Sequence, residues 1–227
     1  MQEYITVTGI VLKQTPVGEY DRHISLLTRE RGKVSAFARG ARRPGSRLAA
    51  GTNPFAFGVF RLYEGRSSYT LTESDIQNYF GELRTDYIGA CYGMYFAEVT
   101  DYYTRENNDE REMMKLFYQS LRALCAPSLA NPLVRCVFEC KAMAVNGEFP
   151  MTFSREAPLL PGDEKLEEST VYTLQYIAAS PVEKLYTFTV TQNVLDELGR
   201  IGECGRRRVI DRDFKSLDVL DKLQLKN

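Results

Sequence analysis

The segment His23-Ile24-Ser25-Leu26-Leu27-Thr28-Arg29-Glu30-Arg31-Gly32-Lys33-Val34-Ser35-Ala36-Phe37-Ala38-Arg39-Gly40-Ala41-Arg42-Arg43-Pro44-Gly45-Ser46-Arg47 decides how the front of this chain folds. A short apolar run, His23 to Thr28, leads into Arg31-Gly32, the kind of pair that closes a tight hairpin. The strand expected next, Lys33 to Ala41, alternates strictly. Val34, Ala36 and Ala38 fall on one face, small and apolar, suited to a barrel interior. Lys33, Ser35, Phe37 and Arg39 fall on the other, because successive side chains of a strand point to opposite sides.

Working outward, Tyr4 to Lys13 reads as a preceding strand rich in β-branched residues. Ile5, Val7 and Val11 lie on one side, and Tyr4, Thr6, Thr8, Ile10 and Leu12 on the other. Pro44-Gly45-Ser46 marks a loop. Phe55 to Glu64 is a fourth strand, Gly65-Arg66-Ser67 a turn, and Ser68 to Thr72 a fifth strand. Five short strands with glycine-bearing turns in so little chain predict a small closed barrel of the five-stranded OB type.

Beyond Glu73 the period changes from two to that of a helix. Helices are expected over Glu82 to Arg105 and Glu110 to Cys125. A third starts at Asn131-Pro132, where proline suits the first turn, and ends near Asn146-Gly147. Residues 148–169 form a proline- and acid-rich excursion. Thr170 to Ala179, Gln192 to Ile201 and Asp213 to Leu223 complete the helical part. The fold expected is α+β: an OB-fold barrel over residues 1–80 followed by an all-helical domain over 81–227.

The 227 residues carry a net charge of −1, which conceals a strong asymmetry. Residues 1–80 hold 11 Lys and Arg against 7 Asp and Glu, a net of +4, while the remainder is net −5. Residues 29–47 alone are +6, with Glu30 the single acid. An outward row of cation, hydroxyl, aromatic and cation supplies charges for phosphates and a flat ring for bases. The loop Gly40-Ala41-Arg42-Arg43-Pro44-Gly45-Ser46-Arg47 adds guanidinium forks and free N–H groups. Lys33, Phe37, Arg39, Arg42, Arg43 and Arg47 are therefore the candidate nucleic-acid contacts. Phe55, Phe57, Phe60 and Tyr63 on the next strand serve either as a stacking platform or as core. Arg206-Arg207-Arg208 is a second basic cluster, either a solvated helix end or a further phosphate contact.

Catalytic constellations are missing from the reading. His23 is the one histidine, and neither a GxxxxGK[ST] loop nor a strand-following GxGxxG occurs. No enzyme and no cofactor are expected. Cys136 and Cys140 would share one helix face, but Cys91, Cys125 and Cys204 lie singly elsewhere, so a buried apolar role is favoured over a metal. The odd cysteine count and the opening Met1-Gln2-Glu3-Tyr4, unlike a signal peptide, predict a cytoplasmic protein.

Several runs carry a family resemblance. Thr8-Gly9-Ile10-Val11-Leu12-Lys13, Gly18-Glu19-Tyr20-Asp21-Arg22, Leu26 through Val34 and Arg39 through Leu48 resemble the opening of the bacterial RecO proteins. Pro54-Phe55, Leu62-Tyr63-Glu64-Gly65 and Leu71-Thr72-Glu73 continue the likeness. Tyr95-Phe96-Ala97-Glu98 and Leu174-Gln175-Tyr176-Ile177-Ala178 extend it into the helical part. The resemblance implies a nucleoid-associated DNA repair and recombination mediator. Such a protein binds single- and double-stranded DNA, anneals complementary strands, and works with RecR to load RecA. It acts on strands coated by single-stranded-DNA-binding protein, whose acidic C-terminal tail it recognises. Lys33, Arg39, Arg42, Arg43 and Arg47 would then contact DNA, and the helices holding Arg122 and Arg135 are candidates for the tail pocket. Many members carry a four-cysteine zinc site after the third helix. Here that stretch is Glu148-Phe149-Pro150-Met151-Thr152-Phe153-Ser154, so no metal is expected. An RNA-binding OB protein, or a scaffold whose basic face meets an acidic partner, are the alternatives.

Overall fold

A computed structural model describes residues 4–66, 68–149 and 165–224. The chain divides into two compact units, Met1–Met114 and Lys115–Asn227. In the first, β1 (Tyr4–Val17), β2 (Asp21–Thr28), β3 (Gly32–Ala38), β4 (Phe57–Glu64) and β5 (Tyr69–Asn78) close into a barrel of order β1-β2-β3-β5-β4. All neighbours pair antiparallel except β3 and β5, which run parallel over Ala36↔Tyr69 and Phe37↔Thr70. This is the five-stranded OB-fold expected from the alternation.

The barrel core is the set of inward residues. Val7, Val11, Ile24, Leu26, Val34, Ala36, Ala38, Phe60, Leu62 and Leu71 pack together there, with Ile5 at the margin. The small Ala36 and Ala38 leave room for Phe60 in a narrow interior. β1 departs from simple alternation at Leu12. Val11 faces Leu26 and Lys13 faces Ser25, so Leu12 is the extra residue of a bulge. Ile10, Leu12 and Leu27 are fully buried outside the barrel cluster. The covering element is α1 (Tyr87–Tyr103), which packs on β1.

Element ends differ from the sequence reading for local reasons. β3 stops at Ala38, because Gly40 at φ +66 turns the chain into the basic loop. β4 starts at Phe57, since Phe55 adopts φ +72 and cannot continue a strand. The single helix expected from Glu82 is split. A short 3₁₀ turn, Gly81–Arg84, precedes α1, whose N-cap Asp86 accepts a hydrogen bond from Gly89 N at 2.9 Å. The β2–β3 turn is also tied down. Lys33 N donates to Arg105 O, Asn107 N donates to Arg31 O, and Gly32 bridges Glu106. Gly32 has φ +62, and a Cβ there would lie 2.3 Å from Arg105 O, so no side chain fits.

Next along the chain is α2 (Arg111–Leu124). The second unit contains α3 (Asn131–Val145), α4 (Glu168–Ala179), α5 (Gln192–Val209) and α6 (Lys215–Gln224). α5 continues past the expected Ile201 to include the three arginines. Close packing on α3 accounts for two of its glycines: a Cβ at Gly202 would sit 2.7 Å from Glu139 Oε2, and one at Gly205 2.9 Å from Met143 Sδ. Most of the proline- and acid-rich excursion, 150–164, lies outside the described residues. Among the described residues no helix is long and apolar enough to cross a membrane.

Candidate nucleic-acid interface

The outward face of β2 and β3 is built by register. Ile24 and Ala36 point into the core, so their neighbours His23 and Phe37 point out. These two are paired directly across the strands, with ring centroids 5.0 Å apart and planes at 67°. His23 thus joins Phe37 in a half-buried aromatic pair that offers its remaining ring surface to solvent. His23 is not among the contacts expected from the sequence, because only strand register places it beside Phe37.

Two residues beyond Phe37 the basic loop begins. It is held in shape by the β1–β2 turn. Asp21 Oδ1 accepts from Gly40 N at 2.7 Å, Arg42 N donates to Tyr20 O at 2.8 Å, and Arg42 donates to Gly18 O at 3.2 Å. The Arg43 guanidinium lies over the exposed Tyr20 ring, 5.1 Å from its centroid. Below, the Arg22 guanidinium donates to Ala49 O, Thr52 Oγ1 and Asn53 Oδ1, fixing the return of the loop. Burial first, and then the like charge of Arg42, lower the pKa of Arg22. Among the described residues, no carboxylate pairs with Arg39, Arg42, Arg43 or Arg47, all of which are exposed. Four guanidinium groups with no carboxylate paired to them leave a concentrated positive field. Tyr20 was missed in the sequence because nothing local marks it; the fold brings it under Arg43.

Lys33 stands apart from this group. Its ammonium pairs with Asp101 Oδ1 at 3.1 Å and donates to Asp101 O, and Ser25 Oγ donates to the same carboxylate. Both charged side chains are about three-quarters buried, so the pair ties β3 to α1. The aromatic set at and just before β4 is divided as well. Phe55 and Phe60 are buried, Phe60 completely, whereas Phe57 and Tyr63 are partly open.

In the second unit Arg206, Arg207 and Arg208 occupy the last turn of α5, where the helix dipole favours cations. Arg207 is already paired with Glu203. Arg206 lines a cavity of about 850 Å³ between α3 and α5, together with Arg135, Glu139, Leu195, Arg200 and Asp221. Arg135 pairs with Glu139 at 2.9 Å. Arg122, exposed on α2 and bonded to Gln119, is not among the residues lining that cavity. Cys136 and Cys140 are buried on α3. Burial, then Glu139, pushes the Cys136 thiol up to about 12, and Cys140 is raised likewise by burial. No group of three or more His, Cys, Asp or Glu that could hold a metal occurs among the described residues. Of the stretch read for the missing zinc cysteines, 150–154 lies outside them.

Comparison with known proteins adds what geometry cannot. Residues 1–80 match the model of the recombination protein O N-terminal region, and residues 84–157 match that of its C-terminal region. The chain belongs to the recombination protein O family. Within the family it is 29% identical to the DNA repair protein RecO of Acetivibrio thermocellus, over 97% of both chains. It is 32% identical to the protein of that name from Alkaliphilus metalliredigens, over 64% of this chain and 59% of the relative. With that of Bacillus pumilus it shares 34% over 63% and 55%. The family's N-terminal model coincides with the barrel and its basic loop.

Proposed function

We propose that this protein is a non-enzymatic mediator of DNA repair and recombination, cytoplasmic and nucleoid-associated. It binds single- and double-stranded DNA, anneals complementary strands, and assists RecR in loading RecA on strands coated by single-stranded-DNA-binding protein. The observation that carries the reading is the cluster Arg39, Arg42, Arg43 and Arg47, exposed and with no ion-paired carboxylate among the described residues, on the same basic face as the His23–Phe37 ring pair. The names of the relatives support the biological setting.

Annealing on such a surface needs no catalytic residue. Neutralising phosphates on two strands lowers their repulsion and raises their local concentration, so pairing quickens. DNA binding belongs to residues 1–80 and partner contacts to the helical part, residues 81–227. Arg135 and Arg122 are the candidates for the acidic tail, and Arg206, Arg207 and Arg208 a second phosphate contact. No metal takes part in this scheme.

The test is binding of a fluorescent single-stranded oligonucleotide across salt, for the parent and Arg39→Ala/Arg42→Ala/Arg43→Ala. Loss of about three phosphate contacts makes the log–log salt slope shallower by roughly 2. An unchanged affinity and slope would remove the basic loop from the interface. Better competition by RNA than by DNA of the same sequence would replace the reading with an RNA-binding one.

A further inference from the structure

The barrel register carries the interface further than the basic loop. Following register partners around the sheet, Thr15 on β1 faces His23, and His23 faces Phe37. Phe37 faces Thr70, Thr70 faces Tyr63, and Tyr63 faces Tyr4. These six residues make one continuous rung that crosses all five strands. It returns to β1 eleven residues from where it started, as the stagger of a closed barrel demands. Their chain neighbours Ile24, Ala36, Leu71 and Leu62 all pack in the core, so the rung itself faces outward.

Four of the six are aromatic, and they fall into two pairs. One is His23–Phe37. The other is Tyr4–Tyr63, with centroids 5.6 Å apart and planes at 58°. Thr70, with no ring, separates them, and two strand spacings put about 10 Å between Phe37 and Tyr63. Each pair has a guanidinium at hand. Arg39 follows Phe37 by two residues, and Arg61 lies over the Tyr4 ring at 4.9 Å. Arg61 also pairs with Glu73 at 3.4 Å, an exposed contact that water and salt already weaken. Tyr4 is about half exposed, so a large ring stands in solvent where a barrel stabilised only by packing would hide it.

We propose that single-stranded DNA crosses the barrel along this rung and stacks bases at two stations, His23–Phe37 and Tyr4–Tyr63. This rests on reading the basic face as a nucleic-acid site. Stacking on rings tolerates any base, and flanking cations follow the phosphates, so the path is indifferent to sequence. It also sets a length requirement: a short oligonucleotide is held by the first station and the basic loop, and a longer one reaches the second.

The chain contains no tryptophan, so Tyr63→Trp introduces a single reporter at the second station. Its emission is expected to be quenched by oligothymidylate of about 16 nucleotides and hardly by one of about 4, the range of site sizes for such barrels. Tyr4→Ala/Tyr63→Ala should weaken binding of the long oligonucleotide at least about fivefold and leave the short one unchanged. Tyr63→Phe, which keeps the ring, should bind like the parent. If the double variant misfolds by circular dichroism, the Tyr63→Trp emission decides alone. Unquenched emission with the long strand, while Arg39→Ala/Arg42→Ala/Arg43→Ala still loses binding, would sink the second station and leave the proposed function standing. Loss of that arginine dependence would sink the proposed function instead. Stronger quenching by oligouridylate than by oligothymidylate would overturn the assignment of DNA to the path.

Discussion

His23 and Phe37 meet edge to face on the outside of the barrel, 5.0 Å between ring centroids, from strands whose register makes them direct partners. Each ring braces the other against rotation, so the platform is ordered before any base arrives. Binding then loses less side-chain entropy than two separately mobile rings would.

Replacing Phe37 by Ala is therefore expected to weaken single-strand binding by about 1–3 kcal/mol, roughly 5- to 150-fold. Duplex DNA, whose bases are already stacked, should lose much less. Fluorescence anisotropy with matched single and double strands checks this. Equal losses for both would show that Phe37 acts through the fold rather than through stacking.

Lys33 and Asp101 should behave as a structural pair. Lys33→Ala removes a largely buried contact between β3 and α1, at a cost of about 1–3 kcal/mol, intermediate between exposed and fully buried pairs. Thermal unfolding should record the loss. The salt slope of DNA binding should stay as in the parent, in contrast to the loop arginines. A slope shallower by about 0.7 would return Lys33 to the list of phosphate contacts.

The two thiols on α3 predict an alkaline limit to stability. Burial, then Glu139 and for Cys140 also Cys136, raises both folded pKa values, that of Cys136 to about 12. The unfolded chain therefore gives up these protons first. Stability is unaffected below the ordinary thiol range and falls as pH rises through it towards 12, by up to about 1.4 kcal/mol per pH unit for each thiol. Denaturant titrations between pH 8 and 11 measure the trend. In the native protein, alkylation at pH 8 should reach the partly exposed Cys91, Cys125 and Cys204 and spare Cys136 and Cys140 until unfolding. Early labelling of Cys140 would contradict its burial.

The barrel was legible in the sequence because its evidence is local. Val34, Ala36 and Ala38 against Lys33, Ser35, Phe37 and Arg39 is a period of two, and period alone sets which face meets the core. Where a second layer covers the outside, the rule weakens. Ile10 and Leu12 fall on the face opposite Val7 and Val11, yet all four are buried, since α1 packs on β1 and a bulge at Leu12 shifts the register. The helix starting at Glu82 was read as unbroken because apolar spacing runs through Leu83 and Tyr87. The break is set instead by Asp86, whose extended backbone and side chain cap α1.

From residues alone came the five strands, the helical remainder, the concentration of charge at 29–47 and the outward placement of Phe37 and Arg39. All of these follow from composition and from periods within a single strand or helix. Only the tertiary structure decided that His23 stands beside Phe37, that Tyr20 lies under Arg43, and that Lys33 is bound to Asp101, 68 residues away. It also joined Tyr4 and Tyr63 to the same outward rung. Partners of this kind are set by strand register and barrel closure, which sum over many pairings at once and leave no signature in any one stretch of chain.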